Sequence, residues 1–446
     1  MSGPWQQRRL HFVGVGGAGM SGYARAAHAL GARVSGSDSA DSPYLERLRG
    51  EGVLDASIGH AAANVPSGEG VEVVYSSAVP PENPERTAAR ERGLPERPRA
   101  ELLAELTALK RTIAVAGTHG KTTVSAMLVH ALRGAGLNPG WLVGGSVGGE
   151  LPNAHWGAGE WLVVEADESD RSLLSLHVHI AVLTNVELDH HAAYASLAQL
   201  REVFAAFLAR APHAVVWDRP ELLALREGAG EARTVPYDVP APLLARGGSS
   251  FLWRGDEVRL SVPGAHNALN AAAALEASRI AGAPPAPAIA ALARFAGAGR
   301  RFQLVGSTPR GARVYDDYAH HPTEVAATLT AARTLEHERL VAVFQPHLYS
   351  RTALLAREFG RALALADAVV VLDVYAARER AADHPGVSGL TLAQTAADAA
   401  RGRPVYWLPD FEDAEPVLRA MLGEGDVCVA MGAGDIDRLS RRLVST

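Results

Sequence analysis

The chain has 446 residues, enough for about three domains of ordinary size, and 48% of them are hydrophobic while 21% are charged. The formal net charge of −6 excludes a basic surface of the kind that binds nucleic acid, and no segment has the ~20 unbroken apolar residues of a membrane helix. The single cysteine, Cys428, excludes an internal disulfide framework and lies in an apolar run that predicts core packing. We therefore expect a cytoplasmic globular protein that binds neither nucleic acid nor membranes.

Strand-like runs alternate with helical stretches almost throughout, which predicts α/β domains with mostly parallel sheets. The first unit has predicted strands near Leu10–Val13, Arg33–Gly36 and Val71–Ser76. Between Pro80 and Arg99 the chain is rich in Pro, Glu and Arg, and we expect a surface connection there. A predicted helix over Glu101–Leu109 then leads into the next strand.

A glycine loop, Gly14-Val-Gly-Gly-Ala-Gly19, follows the first predicted strand and precedes a helix. It matches the dinucleotide-binding fingerprint, and Asp38 closes the second strand about where an NAD-binding acid would stand. Glycines that admit a pyrophosphate will admit that of NAD, FAD or a UDP-sugar, so the motif alone leaves these ligands open. An NAD-dependent oxidoreductase is one alternative, but nothing downstream resembles a hydride-transfer site.

The predicted strand Ile113–Ala116 runs into a short phosphate-binding loop, Gly117-Thr-His-Gly-Lys-Thr-Thr123. Backbone N–H groups of this loop can face phosphate oxygens at the start of the next helix. Lys121 can reach the terminal phosphates of a nucleotide, and Thr122 can ligate Mg²⁺. The longer Walker pattern is not present, because Val115 occupies the position of its first glycine. The sequence therefore predicts a site for a nucleoside triphosphate.

Polar segments also follow the next two predicted strands, Trp161–Glu165 and Ile180–Thr184. Four carboxylates lie between Glu165 and Asp170, which is typical of either a solvated loop or a cation site. Glu165 is the first choice for a Mg²⁺ ligand, because an acid ending the strand beside a phosphate loop commonly has that role. The second segment ends in His190, at the same edge of the predicted sheet.

Farther on, a predicted helix around Ala268–Ala281 begins near Asn267 and Asn270, which share a face. Either one of these side chains caps the helix while the other packs its amide in the interior, or the pair binds an adenosine. A break near Gly297–Arg301 ends the second unit, and its arginines are either surface charges or groups that reach the γ-phosphate when domains close. Strands are predicted in the third unit near Arg313–Asp317, Leu340–Phe344, Ala368–Asp373, Val405–Leu408 and Val427–Met431.

In this order, the motifs resemble the Mur ligases over nearly the whole chain. The resemblance is carried by Gly14-Val-Gly-Gly-Ala-Gly-Met-Ser21, Ser35-Gly-Ser-Asp38, Gly117-Thr-His-Gly-Lys-Thr-Thr123, Glu165-Ala-Asp-Glu-Ser-Asp170, Thr184-Asn-Val-Glu-Leu-Asp-His190, His266-Asn-Ala-Leu-Asn270, Arg300-Arg-Phe-Gln303, Asp316-Asp-Tyr-Ala-His-His-Pro-Thr-Glu324, Gln345-Pro-His-Leu-Tyr-Ser-Arg351 and Met431-Gly-Ala-Gly-Asp-Ile436. It implies an α/β fold of three domains: a Rossmann-like UDP-sugar-binding domain over 1–108, a central P-loop ATPase domain with a mostly parallel sheet over 109–298, and a Rossmann-like domain for ATP and the amino acid over 299–446.

The resemblance also implies the roles of individual residues. The catalytic residues would be Lys121, Glu165 and His190; Thr122 and Glu165 would hold one Mg²⁺, and His190 would hold a second metal ion. ATP would be bound by Gly117, Thr118, His119, Gly120, Lys121, Thr122, Thr123, Asn267, Asn270, Arg301 and Asp317. The UDP-sugar would be bound by Gly16, Gly17, Ala18, Gly19, Met20, Ser21, Asp38, Ser76 and Ser77. The amino acid would be bound by His320, His347 and Arg351.

The implied activity is an ATP-dependent acid–amino-acid ligation in peptidoglycan precursor synthesis, and hence in cell-wall biogenesis, cell shape and division. L-Alanine would be joined to the lactyl carboxylate of UDP-N-acetylmuramate through an acyl phosphate, with ATP and Mg²⁺ required. One alternative is the attachment of a recycled tripeptide, but the two adjacent glycines of the N-terminal loop, Gly16 and Gly17, argue against it. Another alternative is a non-catalytic nucleotide-binding module. The sequence leaves a monomer and a homodimer both open.

Overall fold

The computed structural model describes residues 4–149, 151–189, 193–227 and 233–445. The chain forms two compact units. One comprises Met1–Asp238 and Asn270–Ala291, and the other comprises Val239–Leu269 and Leu292–Thr446. His190, the predicted ligand of the second metal ion, lies outside the described residues.

The first unit begins with a five-stranded parallel sheet in the order β3-β2-β1-β4-β5. Its strands are β1 (Arg9–Val13), β2 (Arg33–Asp38), β3 (Ser57–Ile58), β4 (Val71–Tyr75) and β5 (Glu96–Pro98), and its helices are α1 (Ala18–Ala29), α2 (Pro43–Gly50), α3 (Pro84–Glu91) and α4 (Arg99–Ala108). Because the strands are parallel, the glycine loop after β1, Asp38 at the end of β2 and Ser76 after β4 all lie at one edge.

The same unit contains a seven-stranded sheet in the order β12-β11-β10-β6-β9-β7-β8, parallel except for the edge strand β8. Its strands are β6 (Arg111–Ala116), β7 (Gly140–Leu142), β8 (Ala154–His155), β9 (Trp161–Glu165), β10 (Ile180–Leu183), β11 (His213–Trp217) and β12 (Arg233–Tyr237). Its helices are α5 (Lys121–Gly134), α6 (Leu197–Ala209) and α7 (Pro220–Leu223). In this order β6 lies between β9 and β10, so the phosphate loop has both polar segments as neighbours.

The two sheets of the first unit share one buried apolar cluster, which runs from Leu10 and Phe12 through Ala114 to Leu162. This continuity fixes the glycine loop relative to the phosphate loop, because close-packed interiors resist sliding. Asn153 adds a polar tie, since its Nδ2 donates to Ala18 O at 2.5 Å in the first turn of α1.

The prediction of a surface connection between Pro80 and Arg99 was wrong, because the segment supplies α3 and the edge strand β5. Glu85 of α3 is fully buried and accepts hydrogen bonds from Ser37 Oγ at 2.7 Å and Asn64 Nδ2 at 2.9 Å, with His11 Nε2 at 2.8 Å. A segment rich in charged residues is normally expected to be exposed to solvent. Here the charged side chain is buried because its polar partners lie on other elements, which only the fold brings together.

The second unit contains a six-stranded sheet in the order β16-β17-β21-β18-β19-β20, parallel except for β16, and a small antiparallel sheet in the order β13-β14-β15. The strands are β13 (Leu243–Ala245), β14 (Gly248–Trp253), β15 (Asp256–Leu260), β16 (Gln303–Ser307), β17 (Arg313–Asp317), β18 (Leu340–Phe344), β19 (Ala368–Val371), β20 (Val405–Trp407) and β21 (Val427–Met431). The later helices of the chain are α8 (Ala265–Ile280), α9 (Pro285–Ala293), α10 (Pro322–Ala332), α11 (Tyr349–Leu354), α12 (Ala356–Leu363), α13 (Gly389–Ala400), α14 (Phe411–Met421) and α15 (Asp437–Val444).

The predicted strands that lead into candidate sites match the observed ones closely, and the expected α/β fold with mostly parallel sheets is confirmed. The sequence analysis did not predict β13–β15, because their short alternating runs lack the apolar continuity of buried parallel strands. Cys428 is fully buried in β21, as expected. In the part of the chain that is described, no helix has the length and apolar character needed to cross a membrane.

Candidate functional site

The phosphate loop between β6 and α5 has a backbone that only glycine tolerates at two positions. Gly117 has φ 129° and Gly120 has φ 84°, both in the region that side chains rarely adopt. A Cβ on Gly120 would lie 2.9 Å from Asn270 Oδ1, and a Cβ on Gly117 would collide with Thr184 Oγ1. The loop therefore packs closely against Thr184 and Asn270.

The segment after β10 holds this loop through hydrogen bonds. Asn185 Oδ1 accepts from His119 N at 2.9 Å, and Thr118 Oγ1 donates to Glu187 O at 2.8 Å and accepts from Glu187 N at 2.9 Å. His119 Nε2 also lies 3.0 Å from Glu187 Oε2. Sequence reasoning gave Asn185 and Glu187 no role, although both lie in the Thr184–His190 motif.

Lys121 begins α5 and points back into the loop. Its Nζ donates to Gly117 O at 2.6 Å, to Thr118 O at 3.2 Å and to Glu168 Oε1 at 3.0 Å. Burial alone would lower the pKa of Lys121, but Glu168 and other nearby carboxylates outweigh it, so the pKa is raised. The lysine therefore keeps its positive charge at neutral pH, as a phosphate ligand must.

Thr122 and Glu165, the two described residues predicted to hold Mg²⁺, touch each other. Thr122 Oγ1 donates to Glu165 Oε1 at 2.6 Å, and Gly144 N donates to Glu165 Oε2. A hydroxyl and a carboxylate oxygen side by side at the end of a strand form a donor set that suits a hard divalent cation. The residues present therefore fit the implied metal.

The glycine loop after β1 is held by polar groups of neighbouring strands. Gly16 N donates to Asp38 Oδ2 at 2.7 Å, and Ser42 Oγ donates to Gly16 O at 2.9 Å. Ser76 lies next to Gly14, whereas Ser77 is exposed after β4. Within this loop Asp38 binds the backbone, so its carboxylate positions the loop.

Helix α1 starts at Ala18, in the glycine loop, and its first turn contains Gly19, Met20 and Ser21. Met20 and Ser21 are buried, and Ser21 Oγ donates to Ala18 O at 3.0 Å. Of the residues predicted to bind the UDP-sugar, Met20 and Ser21 therefore support the loop, while Gly16 to Gly19 line the start of the helix.

In the second unit, the two neighbouring arginines after the predicted break have different partners. Arg300 donates from Nε to Asp316 Oδ2 at 3.0 Å and from its two terminal nitrogens to Gly432 O at 3.0 Å and Gly434 O at 3.1 Å. Arg301 lies 3.8 Å from Glu324 and has its guanidinium 5.1 Å from the ring centre of Tyr318. Arg300 is thus a structural clamp, and Arg301 is the member of the pair that remains a candidate for ATP.

Asp317, predicted to bind ATP, is buried at the end of β17. Its carboxylate accepts hydrogen bonds from Phe302 N at 2.9 Å, Ala319 N at 2.7 Å and Thr328 Oγ1 at 3.2 Å. Burial raises the pKa of Asp317 from 3.8 to about 6, and Arg301 only partly offsets it. The side chain therefore organises the backbone directly after Arg301 and the turn directly after β17. Asn267 is also buried, and its Nδ2 donates to Pro263 O at 2.7 Å.

The three residues predicted to bind the amino acid lie together in the second unit. Arg351 of α11 is buried, and one of its terminal nitrogens lies 3.2 Å from His347 Nδ1. The ring of His347 meets that of His320 edge-on at 6.2 Å and stacks on Tyr375 at 5.8 Å. An arginine guanidinium held beside these rings by His347 is a suitable receptor for a carboxylate.

Three family models match successive parts of the chain: the Mur ligase family catalytic domain over residues 9–111, the Mur ligase middle domain over 115–278 and the Mur ligase glutamate ligase domain over 300–434. The chain belongs to the Mur ligase family. The expected family, its ligase activity and its three-domain α/β fold are thereby confirmed.

Similar proteins of this family include the UDP-N-acetylmuramate–L-alanine ligases of Rubrobacter xylanophilus, 46% identical with 98% of this chain and 99% of that protein covered, and of Mycolicibacterium smegmatis, 45% identical with 99% and 95% covered. The crystal structure of UDP-N-acetylmuramate-alanine ligase from Thermotoga maritima matches with a TM-score of 0.83 at 30% identity over 98% of both chains. A murein peptide ligase from Psychrobacter arcticus has a TM-score of 0.72 at 24% identity over 98% of both chains, which shows the shared Mur ligase fold alone.

We expect the variant Lys121→Met to release phosphate from ATP more than 100-fold more slowly, since it loses the positive charge that stabilises the transferring phosphoryl group. The chain has two lysines, so Lys110→Met is a matched control and should keep near-normal turnover. Because Lys121→Met also removes the cation facing the buried Glu168, the double variant Lys121→Met/Glu168→Gln separates chemistry from stability. If Lys121→Met and the double variant both turned over within a few-fold of the wild-type rate, the assignment of Lys121 to the nucleotide phosphates would be contradicted.

We also expect a pH-dependent contribution of Asp317 to stability. The folded state binds a proton on Asp317 more tightly than the unfolded chain, because its pKa is about 6 instead of 3.8. The stability it supplies is therefore greatest below about pH 4 and is lost as the pH rises to about 6, by at most about 3 kcal/mol. Unfolding of wild type and Asp317→Asn should be compared across this range, with the exposed Asp398→Asn as control. The free energy of unfolding of the wild type, minus that of Asp317→Asn, should fall as the pH rises from about 4 to about 6. A value that stays constant over this range would contradict the prediction.

Proposed function

We propose that this Mur ligase joins L-alanine to the lactyl carboxylate of UDP-N-acetylmuramate with hydrolysis of ATP to ADP and phosphate. The observation that carries the proposal is the phosphate loop, where Lys121 points into the loop and Thr122 touches Glu165. The relatives named for this reaction are 43–46% identical over nearly the whole chain, which supports the same substrates here. The product would be a precursor of peptidoglycan.

The proposed reaction has two steps. First, a lactyl carboxylate oxygen attacks the γ-phosphorus of ATP, and the bond to the β–γ bridging oxygen breaks to release ADP. Lys121 stabilises the charge on the transferring phosphoryl group, and backbone N–H groups from Gly117 onward face the phosphates. Second, the alanine amine attacks the acyl carbon, the carbon–oxygen bond to phosphate breaks, and the amine loses a proton to solvent or a base.

Thr122 and Glu165 would hold Mg²⁺, which when bound would neutralise negative charge on the nucleotide phosphates. The proposed role of His190 in holding a second ion rests on the family resemblance. The assignments of Asn267, Arg301 and Asp317 to ATP rest on it as well and stay predictions. Domain boundaries near residues 108 and 298 are likewise proposed, and the ranges of the three family models support them.

The glycine loop would receive the UDP-sugar, because a helix that starts among glycines offers N–H donors to a diphosphate. Gly16, Gly17, Ala18 and Gly19 would face the ligand, with Asp38 bracing the loop and Ser76 and Ser77 at its side. His320, His347 and Arg351 would bind the amino acid. We propose that the enzyme acts in the cytoplasm, where ATP and nucleotide sugars are made; a monomer and a homodimer are both compatible with this proposal.

The deciding experiment measures phosphate release from ATP with Mg²⁺ and UDP-N-acetylmuramate, adding each amino acid in turn. Release that needs both the sugar nucleotide and L-alanine is expected. Release with glycine or serine preferred would keep the mechanism and change the amino acid. Phosphate release that occurs only with a stem tripeptide would mean that the tripeptide, and not L-alanine, is the substrate that is joined. Tight binding of nucleotides without any phosphate release would contradict the ligase proposal.

We expect Arg351→Ala to raise the KM for alanine by about 10- to 100-fold while kcat changes much less, because a carboxylate partner supplies binding more than chemistry. Arg357→Ala is a matched control, since Arg357 lies six residues farther on and is exposed. Steady-state kinetics with alanine varied at saturating ATP would measure both. An unchanged KM for alanine would remove Arg351 from the amino-acid site.

A further inference from the structure

Arg99, at the start of α4, is tied to the acidic segment that follows β9. Its Nε donates to Asp170 Oδ2 at 3.0 Å, and its Nη2 donates to Asp170 Oδ2 at 2.6 Å and to Asp167 Oδ2 at 2.8 Å. The side chain is largely buried, with 18% of its surface exposed. Two carboxylates therefore fix the plane and position of this guanidinium.

The acidic segment is itself anchored from the other side. Glu168 lies next to Asp167, and its carboxylate pairs with Lys121 at 3.0 Å. Its backbone oxygen accepts from Tyr194 Oη at 2.5 Å. The segment that holds Arg99 is therefore fixed by contacts of its own with Lys121 and Tyr194.

The third nitrogen of the guanidinium, Nη1, faces the glycine loop. A Cβ built on Gly19 would lie 3.5 Å from Arg99 Nη1, with the Tyr23 hydroxyl at 3.8 Å. Within residues 4–149, 151–189, 193–227 and 233–445, Nη1 donates no hydrogen bond to a protein acceptor. Thus two nitrogens of Arg99 are used for anchoring, and the one that is not lies beside the first turn of α1.

An anion held at this turn would meet two kinds of donor together. The N–H groups at the start of α1 point out of the helix end. Arg99 Nη1 lies beside the same turn, 3.5 Å from the position of a Cβ on Gly19. A guanidinium whose other nitrogens are already fixed has lost its side-chain freedom before the ligand arrives, so binding costs less entropy.

We propose that Arg99 is a further binding residue for the sugar nucleotide, donating from Nη1 to an anionic oxygen of the ligand at the glycine loop. Asp167 and Asp170 are its positioning residues. The anionic oxygen belongs either to the diphosphate or to the lactyl carboxylate, which share the chemistry that Arg99 recognises. This inference rests on the proposed function, because it assigns the sugar nucleotide to the glycine loop.

The test is the dissociation constant of UDP-N-acetylmuramate, measured calorimetrically without ATP, for wild type and for Arg99→Met. We expect the constant to rise about 10- to 100-fold, the loss typical of a charge-assisted hydrogen bond. Arg97→Met is the matched control: Arg97 stands two residues earlier and pairs with Glu72, Glu101 and Glu105 instead. It should lower the melting temperature without changing the dissociation constant.

UDP-N-acetylglucosamine, which has the diphosphate but no lactyl carboxylate, distinguishes the two sources of the anion. Weaker binding of both sugar nucleotides to Arg99→Met would assign the diphosphate, and weaker binding of UDP-N-acetylmuramate alone would assign the carboxylate. A variant that melts earlier but binds UDP-N-acetylmuramate as wild type does would overturn the inference and leave Arg99 a structural brace. Failure of the wild type itself to bind UDP-N-acetylmuramate would instead overturn the proposed function.

Discussion

The acidic segment from Glu165 to Asp170, at the end of β9, is the constraint on which the first unit depends, because its carboxylates face donors from two helices, α4 and α5. Glu165 accepts from Thr122, Glu168 pairs with Lys121, and Asp167 and Asp170 hold Arg99. One short segment therefore fixes the end of the phosphate loop, the lysine within it and the helix that follows the first sheet. Its own position is set by β9, which lies beside β6 in the sheet.

The acidic segment also balances the positive charge of Lys121, at the place where a nucleotide would add the negative charge of its phosphates. A largely buried lysine needs a partner for its charge, and Lys121 has Glu168 together with two loop carbonyl oxygens. The phosphate groups of ATP offer the same kind of acceptor, so they can replace these contacts without leaving the charge exposed to an apolar interior. The structure thus shows which groups hold the lysine and balance its charge.

In the second unit, polar contacts hold an unusual backbone conformation on either side of Arg301. Arg300 and Phe302 have φ of 54° and 50°, a backbone conformation that side chains rarely adopt. Hydrogen bonds from Arg300 to Asp316 and to the carbonyls of Gly432 and Gly434 hold one of them, and Asp317 accepts from the backbone N of the other. The cost of this backbone is met by fixed polar contacts, which leave Arg301 between them directed toward Glu324 and Tyr318.

Local sequence determined the parallel strands that lead into the candidate sites, the glycine and phosphate loops, and the family. Apolar continuity, glycine spacing and a lysine followed by hydroxyls act over a few residues, so they are visible without the fold. The same reasoning took the segment from Pro80 to Arg99 as exposed, and it gave Glu168 and Arg99 no particular role. Their partners are distant in sequence: Glu168 lies 47 residues from Lys121, and Arg99 lies 71 residues from Asp170. Only the tertiary structure decides such pairings, because the order of strands in the sheet, and not their order in the chain, sets which charges meet.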